Sequence, residues 1–114
     1  MTIRIYHNPR CSKSRQTLAL LEENGVTPEV IEYLKTPPTA AELERILTAL
    51  DMEPEALMRK GEDAYKQFVK GKGLDRAGLI ALMVAHPILI ERPIVVNGAR
   101  VALGRPPENV LTIL

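Results

Sequence analysis

Residues 3–25 read IRIYHNPRCSKSRQTLALLEENG, and the fold turns on this stretch. Ile3 and Ile5 alternate and Tyr6 follows, which suggests a strand. Leu18, Leu20 and Leu21 suggest a helix that begins just after Cys11 and stops at Asn24-Gly25. Cys11 then sits at the N-terminus of that helix. A second strand is expected over Glu29 to Tyr33, where Val30 and Ile31 follow Pro28. Strand, helix, strand in about thirty residues is a βαβ unit, for which parallel strands and a right-handed crossover are favoured.

Outward from this unit, the middle of the chain reads as helical. TAAE at 39–42 is a capping box, with Leu43, Ile46, Leu47 and Leu50 on one buried face. Pro54 opens a short helix towards Leu57, Met58 and Arg59, and Glu62 to Phe68 forms a further turn or two. KGKG at 70–73 is a flexible break, after which Leu79, Leu82 and Met83 recur at helical spacing until His86-Pro87. IVV at 94–96 and RVAL at 100–103 flank Asn97-Gly98, a strong signal for a tight hairpin. Pro106 and Pro107 start a last helix bearing Val110, Leu111 and Leu114. The order β-α-β, several helices, β-β-α predicts an α/β fold with a mixed four-stranded sheet. Residues 1–114 are expected to form a single domain, with the helices over about 39–86 as an insertion.

The totals narrow the class. With 46% hydrophobic and 25% charged residues this is an ordinary globular composition, and no window approaches the roughly 18 apolar residues of a membrane span. MTIRIYHN lacks the features of a targeting segment, so the cytoplasm is the expected compartment. A net charge of +1 argues against a general nucleic-acid or membrane binder. Charge is nonetheless unevenly placed. Arg4, Arg10, Lys13 and Arg15 face no acid before Leu21, and Arg92, Arg100 and Arg105 face none between 92 and 107.

Cys11 is the sole cysteine, so it makes no internal disulfide and is either a small packing residue or a chemical group. Three features favour a thiolate: the unpaired N–H groups and positive dipole end of the first helical turn, the nearby Arg10, Lys13 and Arg15, and His7 as a positive or hydrogen-bonding neighbour. Cys11-Ser12-Lys13-Ser14 is C-x-x-S, which lacks the second thiol of a C-x-x-C motif. A covalent intermediate on Cys11 therefore needs an outside thiol for release, such as glutathione or a partner protein. Ser14 either donates to the thiolate or a bound anion, or is an ordinary first-turn serine. Arg59, Arg92 and Arg105 stand at corners near prolines or a helix end and form an oxyanion cradle if the fold gathers them. His7, His86 and one cysteine give no spaced metal-ligand set, and His86 reads as a helix-end or packing histidine.

These same residues carry a resemblance. YHNPRCSKSRQTL at 6–18, EYLKTPPT at 32–39, ALMRKGE at 56–62, HPILIERPIVV at 86–96 and GRPPENVL at 104–111 make the chain similar to the glutaredoxin-coupled arsenate reductases, and HNPRCSKSR looks like their chromosomal branch. The resemblance implies a thioredoxin-like fold with a helical insertion, a nucleophile at Cys11, and arsenate-binding arginines at Arg59, Arg92 and Arg105. It also implies supporting roles for His7, Asn8 and Ser14, and a cis bond before Pro93, the proline facing the active cysteine.

The implied reaction is attack of the Cys11 thiolate on arsenic with loss of water, attack of glutathione on the adduct, and removal of the glutathionyl group by glutaredoxin as arsenite leaves. Arginines that neutralise the oxyanion let it approach a thiolate. Glutathione is then a co-substrate, and no bound cofactor or metal is expected. Two other functions suit the same residues: a regulatory or adaptor protein of this fold, and a glutathione-dependent thiol reductase with a different substrate.

Overall fold

The structure is a computed structural model that describes residues 2–114. Its backbone contacts divide it into two compact units. One is built from the segments that end at Thr36 and begin at Arg92, and the other is Pro37–Glu91.

The first unit contains β1 (Ile3–His7), α1 (Ser12–Glu23), β2 (Glu29–Glu32), β3 (Ile94–Asn97) and β4 (Arg100–Leu103), arranged as a sheet in the order β2-β1-β3-β4. β1 pairs parallel with β2, with Ile5 opposite Val30, and antiparallel with β3, with Ile5 opposite Val95. β3 and β4 are antiparallel neighbours. The expected βαβ unit, terminal hairpin and mixed four-stranded sheet are all present, and the architecture is thioredoxin-like. A strand with partners on both sides has little access to water, which is why Ile5, Tyr6 and His7 are all buried despite their mixed chemistry. The edge strand β2 instead exposes Glu29, Val30 and Glu32, and charges on an edge discourage pairing with another chain.

Ile5, Leu21, Val95, Ala102, Val110 and Ile113 form the core of this unit, so one face of α1 and the C-terminal segment close over the sheet. α1 ends as expected: Asn24 is its cap, and Gly25 follows at φ 78°, the left-handed conformation that glycine adopts without steric cost. Two details differ from the sequence-based expectation. The hairpin turn is Gly98-Ala99, one residue later than Asn97-Gly98, because Asn97 stays in β3 opposite Arg100 and donates its Nδ2 to the Ile113 carbonyl at 2.6 Å. The last helix, Pro107–Ile113, is 3₁₀ in form. Three residues per turn put Pro107, Val110 and Ile113 on the buried side, while Leu111 and Leu114 are each 40% exposed.

The second unit holds α2 (Ala40–Leu50), a 3₁₀ turn (Pro54–Leu57), α3 (Asp63–Phe68), α4 (Arg76–Ala85) and a second 3₁₀ turn (Pro87–Leu89). The capping box forms in full: Glu42 N–H donates to Thr39 Oγ1 and Thr39 N–H donates to Glu42 Oε1, both at 3.1 Å. Leu43, Ile46 and Leu47 turn inward from α2, and Leu79, Ile80 and Met83 from α4. Arg76 joins α4 to α2 through Glu44 at 2.8 Å and reaches Glu53 at 3.4 Å. Gly71 and Gly73 both have positive φ in the expected break. His86 caps α4 and stacks on Phe68 with ring centroids 4.4 Å apart, a packing role.

Candidate active site

The loop between β1 and α1 is shaped by Asn8. Its carbonyl accepts from Cys11 N–H at 3.0 Å, its side-chain Oδ1 accepts from Arg10 N–H at 3.0 Å, and its own N–H donates to the buried Ser14 Oγ at 3.2 Å. An asparagine side chain that replaces a backbone acceptor in this way fixes a tight turn. Ser14, with no exposed surface, ties that turn to the first turn of α1. Arg15 donates from Nη1 to the Pro9 carbonyl at 2.9 Å, closing the outer side of the loop.

Cys11 occupies the N-cap of α1 with extended backbone (φ −93°, ψ 124°), and its side chain makes no closed capping hydrogen bond. At this position a serine or aspartate would offer an oxygen to the N–H groups two and three residues on. Here those donors belong to Lys13 and Ser14, and their electrostatic effect falls on sulfur. Partial burial pushes the thiol pKa up, but this is outweighed by the Ser14 N–H, a hydrogen bond from the Arg92 side chain, the Lys13 N–H and the positive charge of Arg92, which together lower it to about 7. Arg10 and Arg15 point to exposed surface, and Lys13 contributes through its backbone. The guanidinium that acts on the sulfur therefore comes from the far end of the sequence, not from the cations beside the cysteine.

His7 is 6% exposed, and its Nδ1 is buried without a hydrogen-bond partner. Burial lowers its pKa below 6.5; the Glu32 carboxylate opposes the shift and Arg15 adds to it. This shift favours the uncharged ring, and the positive charge that acts on the sulfur is that of Arg92. A cleft of about 410 Å³ flanks the loop, lined by Asn8, Pro9 and Arg10 together with His7, Glu32, Leu34 and Lys35.

Arg92 precedes Pro93 through a cis peptide bond, the geometry the resemblance implied, and Arg105-Pro106 is a second cis bond. Arg105 Nη1 donates to the Arg92 carbonyl at 3.0 Å, so these two arginine corners are joined directly. Arg59 belongs to the other unit. There its backbone N–H donates to the Leu89 carbonyl at 2.7 Å, while its guanidinium pairs with Glu62 at 3.2 Å and Glu91 at 3.1 Å. Among the described residues, no group of three His, Cys, Asp or Glu side chains is arranged to hold a metal, and no helix is long and apolar enough to cross a membrane.

Sequence reading passed over Thr17 and Gly104. Thr17 is fully buried in α1, and its Oγ1 lies 2.8 Å from the Lys13 carbonyl and 3.5 Å from the Gly104 carbonyl. Gly104 N–H donates to the Pro93 carbonyl at 2.9 Å. The available signal was a glycine directly after β4, without a turn to explain it.

A helix-capping cysteine beside the loop before β3, on this sheet, defines a thioredoxin-like protein with a one-cysteine site. More particularly, the chain belongs to the ArsC family, whose model matches residues 6–113. It is 53% identical over 98% of its length to the uncharacterized protein YfgD of Escherichia coli K12, covering 96% of that protein. It is 45% identical to an arsenate reductase of Neisseria meningitidis serogroup A, covering 98% of this chain and 97% of the relative. The solved structure of an arsenate reductase from Vibrio cholerae superposes with a TM-score of 0.95 at 51% identity, over 100% of this chain and 98% of that one.

Proposed function

We propose that this protein is an arsenate reductase in which Cys11 is the nucleophile, with glutathione and glutaredoxin supplying the electrons. The observation that carries this reading is the lowered pKa of Cys11 under the combined influence of the Ser14 and Lys13 N–H groups and Arg92. A thiol near 7 is about half ionised at neutral pH, whereas a free cysteine at about 8.5 is mostly protonated. The names of the arsenate reductases it resembles along nearly the whole chain support the choice of substrate.

In the reaction, arsenate is held by Arg92, Arg105 and Arg59, the last on its place in the family pattern. The Cys11 sulfur donates an electron pair to arsenic, an As–O bond breaks, and the oxygen leaves as water after taking up protons. Glutathione thiolate then attacks the arsenic of the adduct, a second As–O bond breaks, and that oxygen leaves as water. Glutaredoxin thiolate attacks the glutathione sulfur, forming a mixed disulfide, and the As–S(glutathione) electron pair passes to arsenic. Water then replaces Cys11 on the trivalent arsenic, so arsenite and the Cys11 thiolate are released, and two electrons from thiols have reduced arsenic from the pentavalent to the trivalent state. Ser14 has no thiol to supply these electrons internally.

The test is arsenate-dependent NADPH consumption coupled through glutathione, glutathione reductase and glutaredoxin. Turnover that disappears in Cys11→Ser is the expected result. No turnover with a panel of glutaredoxins, or turnover that survives in Cys11→Ser, would overturn the proposal.

A further inference from the structure

Gly104 is buried, and its φ lies outside the left-handed region, so its backbone conformation does not call for glycine. Space does. A Cβ at this position would stand 2.7 Å from Pro93 Cγ and 3.0 Å from Thr17 Cγ2, and closer still to Thr17 Oγ1. Neither wall yields easily, because Pro93 is a ring and Thr17 is a β-branched side chain fixed in a helix.

The two walls carry the two halves of the sulfur's environment. Thr17 is on α1, whose first turn presents Cys11 and the Lys13 and Ser14 N–H groups. Pro93 directly follows Arg92. Gly104 meets both sides: its N–H donates to the Pro93 carbonyl at 2.9 Å, and its carbonyl lies 3.5 Å from Thr17 Oγ1, whose closer acceptor is the Lys13 carbonyl. It also directly precedes Arg105, whose guanidinium holds the Arg92 carbonyl.

We propose that Gly104 is a positioning residue: its missing side chain lets α1 close against the Arg92-Pro93 corner and so sets the separation between Cys11 sulfur and the Arg92 guanidinium. The proposal rests on the reading of Cys11 as a nucleophile, but it needs neither arsenate nor a glutaredoxin to be tested. A methyl group at 104 wedges the two walls apart, and a hydrogen bond to sulfur weakens steeply as it lengthens or bends.

The experiment is ultraviolet titration of the Cys11 thiolate in the whole protein, with the same titration of Cys11→Ser subtracted. Gly104→Ala is expected to move the midpoint up by about one unit towards the value of about 8.5 for free cysteine. Gly104→Ala/Thr17→Ala, with the helix wall cut back and Pro93 still in place, is expected to fall between Gly104→Ala and wild type. Val110→Ala removes core packing in the same unit and is expected to lower the melting temperature without moving the midpoint. If Gly104→Ala does not fold, the double variant decides, and a midpoint above wild type supports the proposal. A wild-type midpoint in Gly104→Ala, or in the double variant where only that one folds, overturns it, as does an equal shift in Val110→Ala. If the unmodified protein itself titrates near 8.5, the nucleophile reading has failed first.

Discussion

The side chain of Arg92, at the entry to β3, lowers the pKa of Cys11 at the start of α1, both as a hydrogen-bonding group and as a positive charge. Its charge supplements the N–H groups of Ser14 and Lys13 in holding the thiol near 7 against partial burial. Removing the guanidinium removes both a hydrogen bond and a positive charge. Arg92→Ala is therefore expected to raise the thiolate midpoint towards about 8.5, with a slower rise in iodoacetamide reactivity between pH 6 and 8. Arg92→Lys, which keeps the charge but loses the planar fork, is expected to lie between the two.

The same shift has a consequence for stability. The folded thiol is lowered to about 7, below the value of about 8.5 for a free cysteine, so folding favours the thiolate. This contribution is fully present above the unfolded value and is lost as pH falls through the folded one. The stability difference between wild type and Cys11→Ser should thus move in favour of wild type between pH 7 and 9, and flatten below 6. Urea denaturation at a series of pH values measures it.

Arg59 is held between Glu62 and Glu91, each about a quarter to a third exposed. If it binds arsenate as proposed, Arg59→Ala deletes a charge-assisted contact of about 1.5–3 kcal/mol, which corresponds to roughly tenfold or more in affinity. A steady-state comparison should show KM for arsenate rising by at least about tenfold. An unchanged KM would remove Arg59 from the binding set.

The C-terminal segment offers a test of its periodicity. Val110 is fully buried and Leu111 is 40% exposed, so Val110→Ala should be clearly destabilising, by about 1–3 kcal/mol, and Leu111→Ala by less than about 0.5 kcal/mol. An α-helical segment with Leu111 inside would give the reverse order. Chemical denaturation of the two variants distinguishes them.

Local signals made much of this legible in the sequence. The alternation of Ile3 and Ile5, the Asn24-Gly25 stop, the Thr39 capping box and the hairpin glycine each act within a few residues, and each appears where its pattern put it or one position away. The C-terminal helix starts where its prolines announced it, but Pro106 and Pro107 do not say whether its period is 3.0 or 3.6 residues, so its 3₁₀ form was not legible. At the site, Cys11 was marked by its position at a helix start. Arg92 was marked only as one of three distant arginines at rigid corners, beside the nearer Arg10, Lys13 and Arg15; which of them reaches the sulfur is decided by the pairing of β1 with β3, which brings the segment after Arg92 beside the cysteine loop. Gly104 escaped for a related reason: close approach of α1 to Pro93 is a tertiary fact that leaves only a glycine behind in the sequence.

The central claim is that the Cys11 sulfur is ionised at neutral pH by its surroundings. Thiolate absorbance of the wild-type protein, followed from pH 5 to 10 against a Cys11→Ser blank, tests it most directly. The structure predicts a single midpoint near 7; a midpoint at about 8.5 or above, the range of an unassisted thiol, would contradict it.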